Sequence, residues 1–294
     1  MKWLEVIVTA ARPAAEAVGD LLFQSRVNGL EELPAGERTV RLRAYLPFGR
    51  TTAVTLDTIR AHVAALPSFG LGAAPGTVET AEVDDEGWAE AWKTAFRAFP
   101  VGRRLWITPS WDETPPREEA VVVELDPGMA FGSGLHASTQ MCLEALEWHL
   151  RPGAVVLDVG TGSGILAIAA AKLGAARVRA IDADPVAVAV ARQNVSHNGV
   201  AAVVCVREGD LLVGVEGAAD VVLANLTADL HLTFLPSVVP HLSRDGIVVA
   251  SGITEHRSAE VRAVGEAAGL TAFETLSSAE WRCLVFRISS PSGR

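Results

Sequence analysis

Cysteine is scarce, with three in 294 residues: Cys142, Cys205 and Cys283. Their odd number and wide spacing exclude a disulfide framework and a Cys-x-x-Cys metal site, so all three are expected to be small core hydrophobes in a reducing compartment. The seven histidines lack metal-ligand spacing as well, and no metal is expected. No uncharged apolar run approaches the ~20 residues that span a bilayer. The apolar opening, Met1 to Ala10, is interrupted by Glu5 and reads as a β-strand rather than a secretion signal. These absences predict a cytoplasmic protein with no membrane contact. A basic excess is also missing: the net charge is −10, and residues 1–82 carry 8 basic against 9 acidic side chains. A general nucleic-acid binder usually has a basic face, so no direct nucleic-acid binding is expected. An acidic body suits a basic partner, although such surfaces also simply keep proteins in solution.

What is present begins with Val155-Val156-Leu157-Asp158-Val159-Gly160-Thr161-Gly162-Ser163-Gly164-Ile165. A β-branched run ends in a glycine-rich turn that opens into a helical pattern, and a second apolar run closes on Asp182, 22 residues after Gly160. This is a βαβ unit with a nucleotide-binding turn and an acid placed to accept hydrogen bonds from ribose hydroxyls. A dinucleotide fingerprint wants its third glycine at 165, where this chain has Ile; here it falls at Gly164. The spacing favours a cofactor with adenosine and no pyrophosphate, of which S-adenosylmethionine is the common one.

The length suits about two domains. Residues 1–82 show strand, helix, strand, strand, helix and strand patterns, which is the ferredoxin-like α+β order. That fold hosts RNA binders and protein binders alike; with no aromatic-rich strand and a charge near zero, protein docking is the expectation. Residues 83–125 read as a linker: a helix with Trp88, Trp92, Ala95, Phe96 and Phe99 on one face, ended by Pro100, then a strand from Arg104 to Pro109 and a surface loop around Pro115-Pro116. Residues 126–294 read as one α/β domain with a mostly parallel, seven-stranded, Rossmann-like sheet. Its last two strands, Thr271–Thr275 and Cys283–Ile288, have no helix between them and must pair antiparallel. A parallel sheet finished by a hairpin is the class I methyltransferase architecture.

Two more segments carry polar groups where ligands sit. The stretch Asp126 to Thr139 holds three glycines and His136 in a loop too polar for core, which suggests backbone approach to a ligand. A helix cap made by Ser138 or Thr139 is the plainer alternative. Asn225 ends the apolar run Val221 to Ala224 and faces the crevice outside the strand ends; capping the next helix is its plainer alternative.

Taken together, Trp88-x-x-x-Trp92-Lys93, Arg104 to Trp111, Asp126-Pro127-Gly128-x-Ala130-Phe131-Gly132-x-Gly134-x-His136, Gly160 to Ala170 and Asn225-Leu226-x-Ala228 resemble the bacterial ribosomal protein L11 methyltransferases. The likeness is strong from about residue 86 onward and weak before it. The chain departs from the usual pattern at Leu135, Ala137, Ser138 and Thr227. The resemblance implies S-adenosylmethionine contacts at Thr139, Gly160, Asp182 and Asn225, in a site that also takes in Gly162, Gly164, Phe131 and His136. It implies that residues 1–82 recognise a basic ribosomal protein, and that lysine ε-amines and the N-terminal α-amine of that substrate are trimethylated.

Such a transfer is an in-line displacement in which a neutral amine attacks a methyl group on a sulfonium. The expected catalytic groups are the Asn225 side-chain carbonyl and the adjacent backbone carbonyl of Leu226, accepting hydrogen bonds from the amine. Rival readings are an N-methyltransferase acting on another protein or on a nucleic-acid base, and a catalytically silent cofactor-binding module. A base-directed site typically follows the Asn with Pro-Pro and an aromatic; Leu226, Thr227 and Ala228 supply no stacking platform.

Overall fold

A computed structural model describes residues 2–25, 27–33, 35–36, 38–47, 49, 52–84, 97–126 and 134–289. The chain forms two compact units, Met1–Phe96 and Arg97–Arg294.

In the first unit, strands β1 (Lys2–Ala11), β2 (Asn28–Leu33), β3 (Thr39–Pro47) and β4 (Thr77–Asp84) alternate with helices α1 (Ala15–Gln24) and α2 (Thr52–Ala65). The sheet order is β2-β3-β1-β4, with every neighbouring pair antiparallel, which is the split βαβ arrangement expected from the sequence. Period-two alternation puts Val6, Val8 and Ala10 of β1 with Val40, Leu42 and Ala44 of β3 on one face. There they bury against Val18 and Leu22 of α1 and Ile59 and Val63 of α2.

The second unit opens with a small sheet of β5 (Phe99–Val101), β6 (Leu105–Thr108) and β7 (Val121–Glu124). Phe99, expected on the connecting helix, instead pairs with Ile107 in a strand. Proline at 100 disfavours helical backbone at the residue before it, and an edge strand tolerates the missing N–H. Trp88, Trp92, Ala95 and Phe96 of the expected helix lie outside the described residues. From Phe99 on, this segment is part of the second unit's packing: Leu105, Ile107 and Val123 are fully buried in its core.

Helix α3 (Ala137–His149) leads into β8 (Val155–Val159), α4 (Ile165–Lys172), β9 (Arg177–Asp182), α5 (Pro185–His197), β10 (Val204–Glu208), β11 (Ala219–Asn225) and α6 (Ala228–Val238). Then come β12 (Leu242–Thr254), α7 (Glu255–Ala267), β13 (Leu270–Ser278) and β14 (Trp281–Ile288). The seven strands lie in the order β10-β9-β8-β11-β12-β14-β13, parallel through β12 and antiparallel at β14 and β13. This is the class I methyltransferase sheet. Strand order reverses at β8, with β9 on one side and β11 on the other, so a crevice opens at their carboxyl ends. Six successive α4 residues, Ile165 to Ala170, are buried, as a helix apolar on all sides requires.

Cys142 and Cys283 are buried as expected, but Cys205 is exposed. It sits on edge strand β10, where Val204 and Val206 point inward and alternation turns the residue between them out. Among the described residues no helix is long and apolar enough to cross a membrane.

Candidate active site

The turn after β8 is tied to the neighbouring strand. The Gly160 and Thr161 N–H groups both donate to the Ile181 carbonyl at 2.9 Å. Gly160, Gly162 and Gly164 have φ of +70°, +55° and +84°. At Gly160 a Cβ would also stand 2.5 Å from Leu226 Cδ2, so the Leu226 side chain lies directly on the turn. Asp182 faces the same turn: its Oδ2 accepts from Gly162 N–H at 2.8 Å and its Oδ1 from Asp184 N–H at 3.0 Å. The predicted acid is therefore already fixed by two backbone donors, one of them in the glycine turn. Alongside, a cavity of about 290 Å³ is bordered by Ala183, Glu208, Gly209 and Asp210 at the β9 and β10 ends.

Beneath the turn lies Asp158, which the sequence reading passed over inside its apolar run. It is fully buried, and its Oδ2 accepts from the Thr161 hydroxyl at 2.6 Å. Burial raises its pKa to about 7, against the Thr161 bond and the Ala167 N–H, which favour the anion; the Asp182 charge adds to the rise.

Asn225, at the end of β11, donates its side-chain N–H to the hydroxyl of Thr139 in the first turn of α3 at 3.1 Å. Its carbonyl partner, Oδ1, would stand 3.0 Å from a Cβ placed on Gly252, and that Cβ would clash with the Leu226 carbonyl oxygen. Gly252, at φ +81°, thus lets both oxygens pack directly against its backbone. Helix α6 takes Thr227 as its N-cap residue, without a side-chain bond, so Asn225 is committed to Thr139 and not to capping.

Behind these residues lies Ser251. Its carbonyl accepts from Leu226 N–H at 3.0 Å and from His231 Nε2 at 2.8 Å, and its hydroxyl donates to the Ser138 carbonyl at 2.9 Å. His231 is fully buried, and burial lowers its pKa to about 4, although the Ser251 and Leu226 carbonyls favour the protonated ring. The sequence signalled neither residue.

His136 is the N-cap of α3, where the sequence had offered Ser138 or Thr139 for a cap. Its Nδ1 accepts from Ser138 N–H at 3.3 Å and lies 2.7 Å from the Ser138 hydroxyl, and its ring meets Trp281 edge-on at 4.7 Å between centroids. Burial lowers its pKa. Phe131 lies outside the described residues, as does the rest of its loop from 127 to 133. Among the described residues there is no cluster of His, Cys, Asp and Glu suited to a metal ion. The strand ends thus bring together two carbonyl oxygens seated against Gly252 and a glycine-rich turn.

Residues 2–289 match the family model described as ribosomal protein L11 methyltransferase (PrmA). Among curated relatives, the ribosomal protein L11 methyltransferase of Caldanaerobacter subterraneus subsp. tengcongensis is 41% identical, over 89% of this chain and 91% of its own length. That of Pelotomaculum thermopropionicum is 40% identical, over 99% of this chain and all of its own length. The crystal structure of a ribosomal protein L11 methylase from Lactobacillus delbrueckii subsp. bulgaricus superimposes with a TM-score of 0.63 at 32% identity. It covers 66% of this chain and all of that one.

Proposed function

The chain belongs to the ribosomal protein L11 methyltransferase family and is an S-adenosylmethionine-dependent methyltransferase, and on that premise we propose that it trimethylates lysine ε-amines and the N-terminal α-amine of ribosomal protein L11. When bound, S-adenosylmethionine supplies the methyl group and the sulfur that leaves it. The site's own features fit such a cofactor. The turn carries no side chains of its own at Gly160, Gly162 and Gly164, with Leu226 packed over Gly160, Asp182 retains lone pairs for ribose hydroxyls, and the cavity at Ala183 to Asp210 can take a base. Thr139 and Asn225 would line the end where the methyl group lies, with His136, the N-cap of the same helix as Thr139, beside them.

A lysine of pKa ~10.4 is less than about 0.1% neutral at pH 7. A low-dielectric pocket beside a cation favours the neutral form. The Asn225 Oδ1 and Leu226 carbonyl oxygens then accept the amine's N–H groups and direct its lone pair at the methyl group. The observation that carries this reading is that both oxygens lie side by side against Gly252, with the Asn225 amide held by Thr139. Residues 1–82 would recognise the protein substrate. No aromatic follows Asn225 to stack a planar base, which favours an amine over a nucleic-acid base.

The test is the intact mass of purified ribosomal protein L11 after incubation with this protein and S-adenosylmethionine, with Asn225→Ala as control. Additions in steps of one methyl group, reaching three per amine and absent in the control, support the reading. An unchanged mass with cofactor bound sends the substrate search to other basic proteins and then to RNA.

A further inference from the structure

In the register between β11 and β12, Ser251 stands opposite Asn225. The hydrogen bonds around the pair close a ring. Asn225 donates to the Thr139 hydroxyl; Thr139 follows Ser138, whose carbonyl accepts from the Ser251 hydroxyl; the Ser251 carbonyl accepts from the Leu226 N–H; and Leu226 follows Asn225. Three separate elements, α3, β12 and the loop after β11, meet in it. The ring fixes the Asn225 side-chain amide and, through the Leu226 N–H, the Asn225–Leu226 peptide from which the Leu226 carbonyl follows.

His231 enters this ring from the first turn of α6, with its Nε2–H on the Ser251 carbonyl at 2.8 Å. The position is otherwise one for a hydrophobe: Phe234 and Leu235 on the same helix are buried in the apolar core. A buried imidazole costs free energy that a leucine would not, and Nδ1 is buried without a hydrogen bond among the described residues. What the imidazole adds is a second donor to the carbonyl that already holds the Leu226 peptide.

We propose that His231 and Ser251 are positioning residues for methyl transfer, holding in place the Asn225 side-chain carbonyl oxygen and the backbone that carries the Leu226 carbonyl oxygen. This rests on the reading that those two oxygens receive the substrate amine. Misplacement of a reacting group by about 1 Å costs as much as ~100-fold in rate, so a clamp one residue away from the chemistry is enough to matter.

Full-length His231→Leu, His231→Gln and Ser251→Ala variants test it. His231→Leu is expected to lower kcat on ribosomal protein L11 by ~10-fold or more while the Kd for S-adenosylmethionine stays within about twofold. Glutamine can present an N–H near the Nε2 position and should recover most of the loss. Ser251→Ala keeps the carbonyl and deletes the hydroxyl, with its bond to Ser138 and its contact with the Cys142 thiol; a drop in kcat of roughly threefold to tenfold is expected, again at constant Kd. Normal kcat in His231→Leu or in Ser251→Ala, a Kd that rises in step with the loss of kcat, or glutamine no better than leucine would overturn the proposal.

Hydrogen exchange of the Leu226 amide, followed by NMR, separates this from the substrate question. It should quicken in His231→Leu and return toward normal in His231→Gln. If the unaltered protein leaves ribosomal protein L11 unmodified, the substrate reading fails, and exchange alone decides the clamp: unchanged exchange in His231→Leu overturns it. Should His231→Leu fail to fold, His231→Gln and Ser251→Ala carry the same test through kcat, Kd and exchange.

Discussion

The side-chain amide of Asn225 donates to the hydroxyl of Thr139 at 3.1 Å, joining the end of β11 to the first turn of α3 across 86 residues of chain. The bond fixes the plane of the amide and so the direction of its carbonyl. Asn225→Ala should lower kcat by about 100-fold or more, the scale set by losing one oriented polar group, while cofactor affinity falls only a few-fold. Thr139→Val keeps the shape and removes the hydroxyl, so it should cost about 10-fold in kcat, because the amide survives but is free to turn. Single-turnover kinetics beside a calorimetric cofactor titration checks both. Near-normal turnover in Asn225→Ala would remove this residue from the mechanism.

Gly252 is the partner of that geometry. At φ +81° any L side chain is strained, and here its Cβ would also strike the Leu226 carbonyl and crowd Asn225 Oδ1. Gly252→Ala should destabilise the fold by about 1–3 kcal/mol, seen as a fall in Tm of a few degrees. It should also cost at least about 10-fold in kcat, because both acceptors must shift. A drop in Tm without a drop in kcat would mean that the loop relaxes away from the oxygens.

The sheet was readable because each of its signals is local. A β-branched run, a glycine turn and a run closing on Asp182 lie within a few dozen residues, and the missing helix between β13 and β14 dictates their antiparallel pairing. Asn225 was readable as a polar residue ending an apolar strand. Ser251 and His231 were not, because their role comes from pairings across elements: Ser251 reaches Ser138 over 113 residues. Asp158 and Gly252 look like ordinary strand residues until their neighbours are known. Phe99 was misread since helical periodicity ran on past the point where Pro100 forces extended backbone, and Cys205 since a side chain's burial on an edge strand follows alternation rather than residue type.

Asp182 should separate binding from chemistry. Both its oxygens accept backbone N–H groups, from Gly162 and Asp184, and asparagine can serve only one of them with an acceptor. Asp182→Asn should therefore loosen the turn and lose a ribose acceptor together, weakening S-adenosylmethionine binding by about 10-fold or more. At saturating cofactor its kcat should stay within a few-fold of normal, since Asn225 and Leu226 are untouched. Calorimetry with initial rates at several cofactor concentrations distinguishes this from a direct role in transfer.

Asp158 predicts a pH dependence of stability with a definite sign. Its ordinary pKa is 3.8, and in the folded protein burial raises it to about 7. The folded state thus holds the proton more tightly than the unfolded chain. The resulting stabilisation is complete below pH ~4, shrinks as the unfolded carboxyl ionises, and is gone once pH passes about 7. Over that window it amounts to a few kcal/mol, at roughly 1.4 kcal/mol per pKa unit. Asp158→Asn keeps an acceptor for the Thr161 hydroxyl and cannot ionise. Relative to the unaltered protein, its Tm should rise progressively between pH 4.5 and 8, with the largest gain at the alkaline end. Thermal unfolding across that range checks it. A gain independent of pH would show that asparagine improves packing rather than sparing a buried charge, and a loss at pH 8 would show that the carboxylate is held by partners stronger than the Thr161 hydroxyl and the Ala167 N–H.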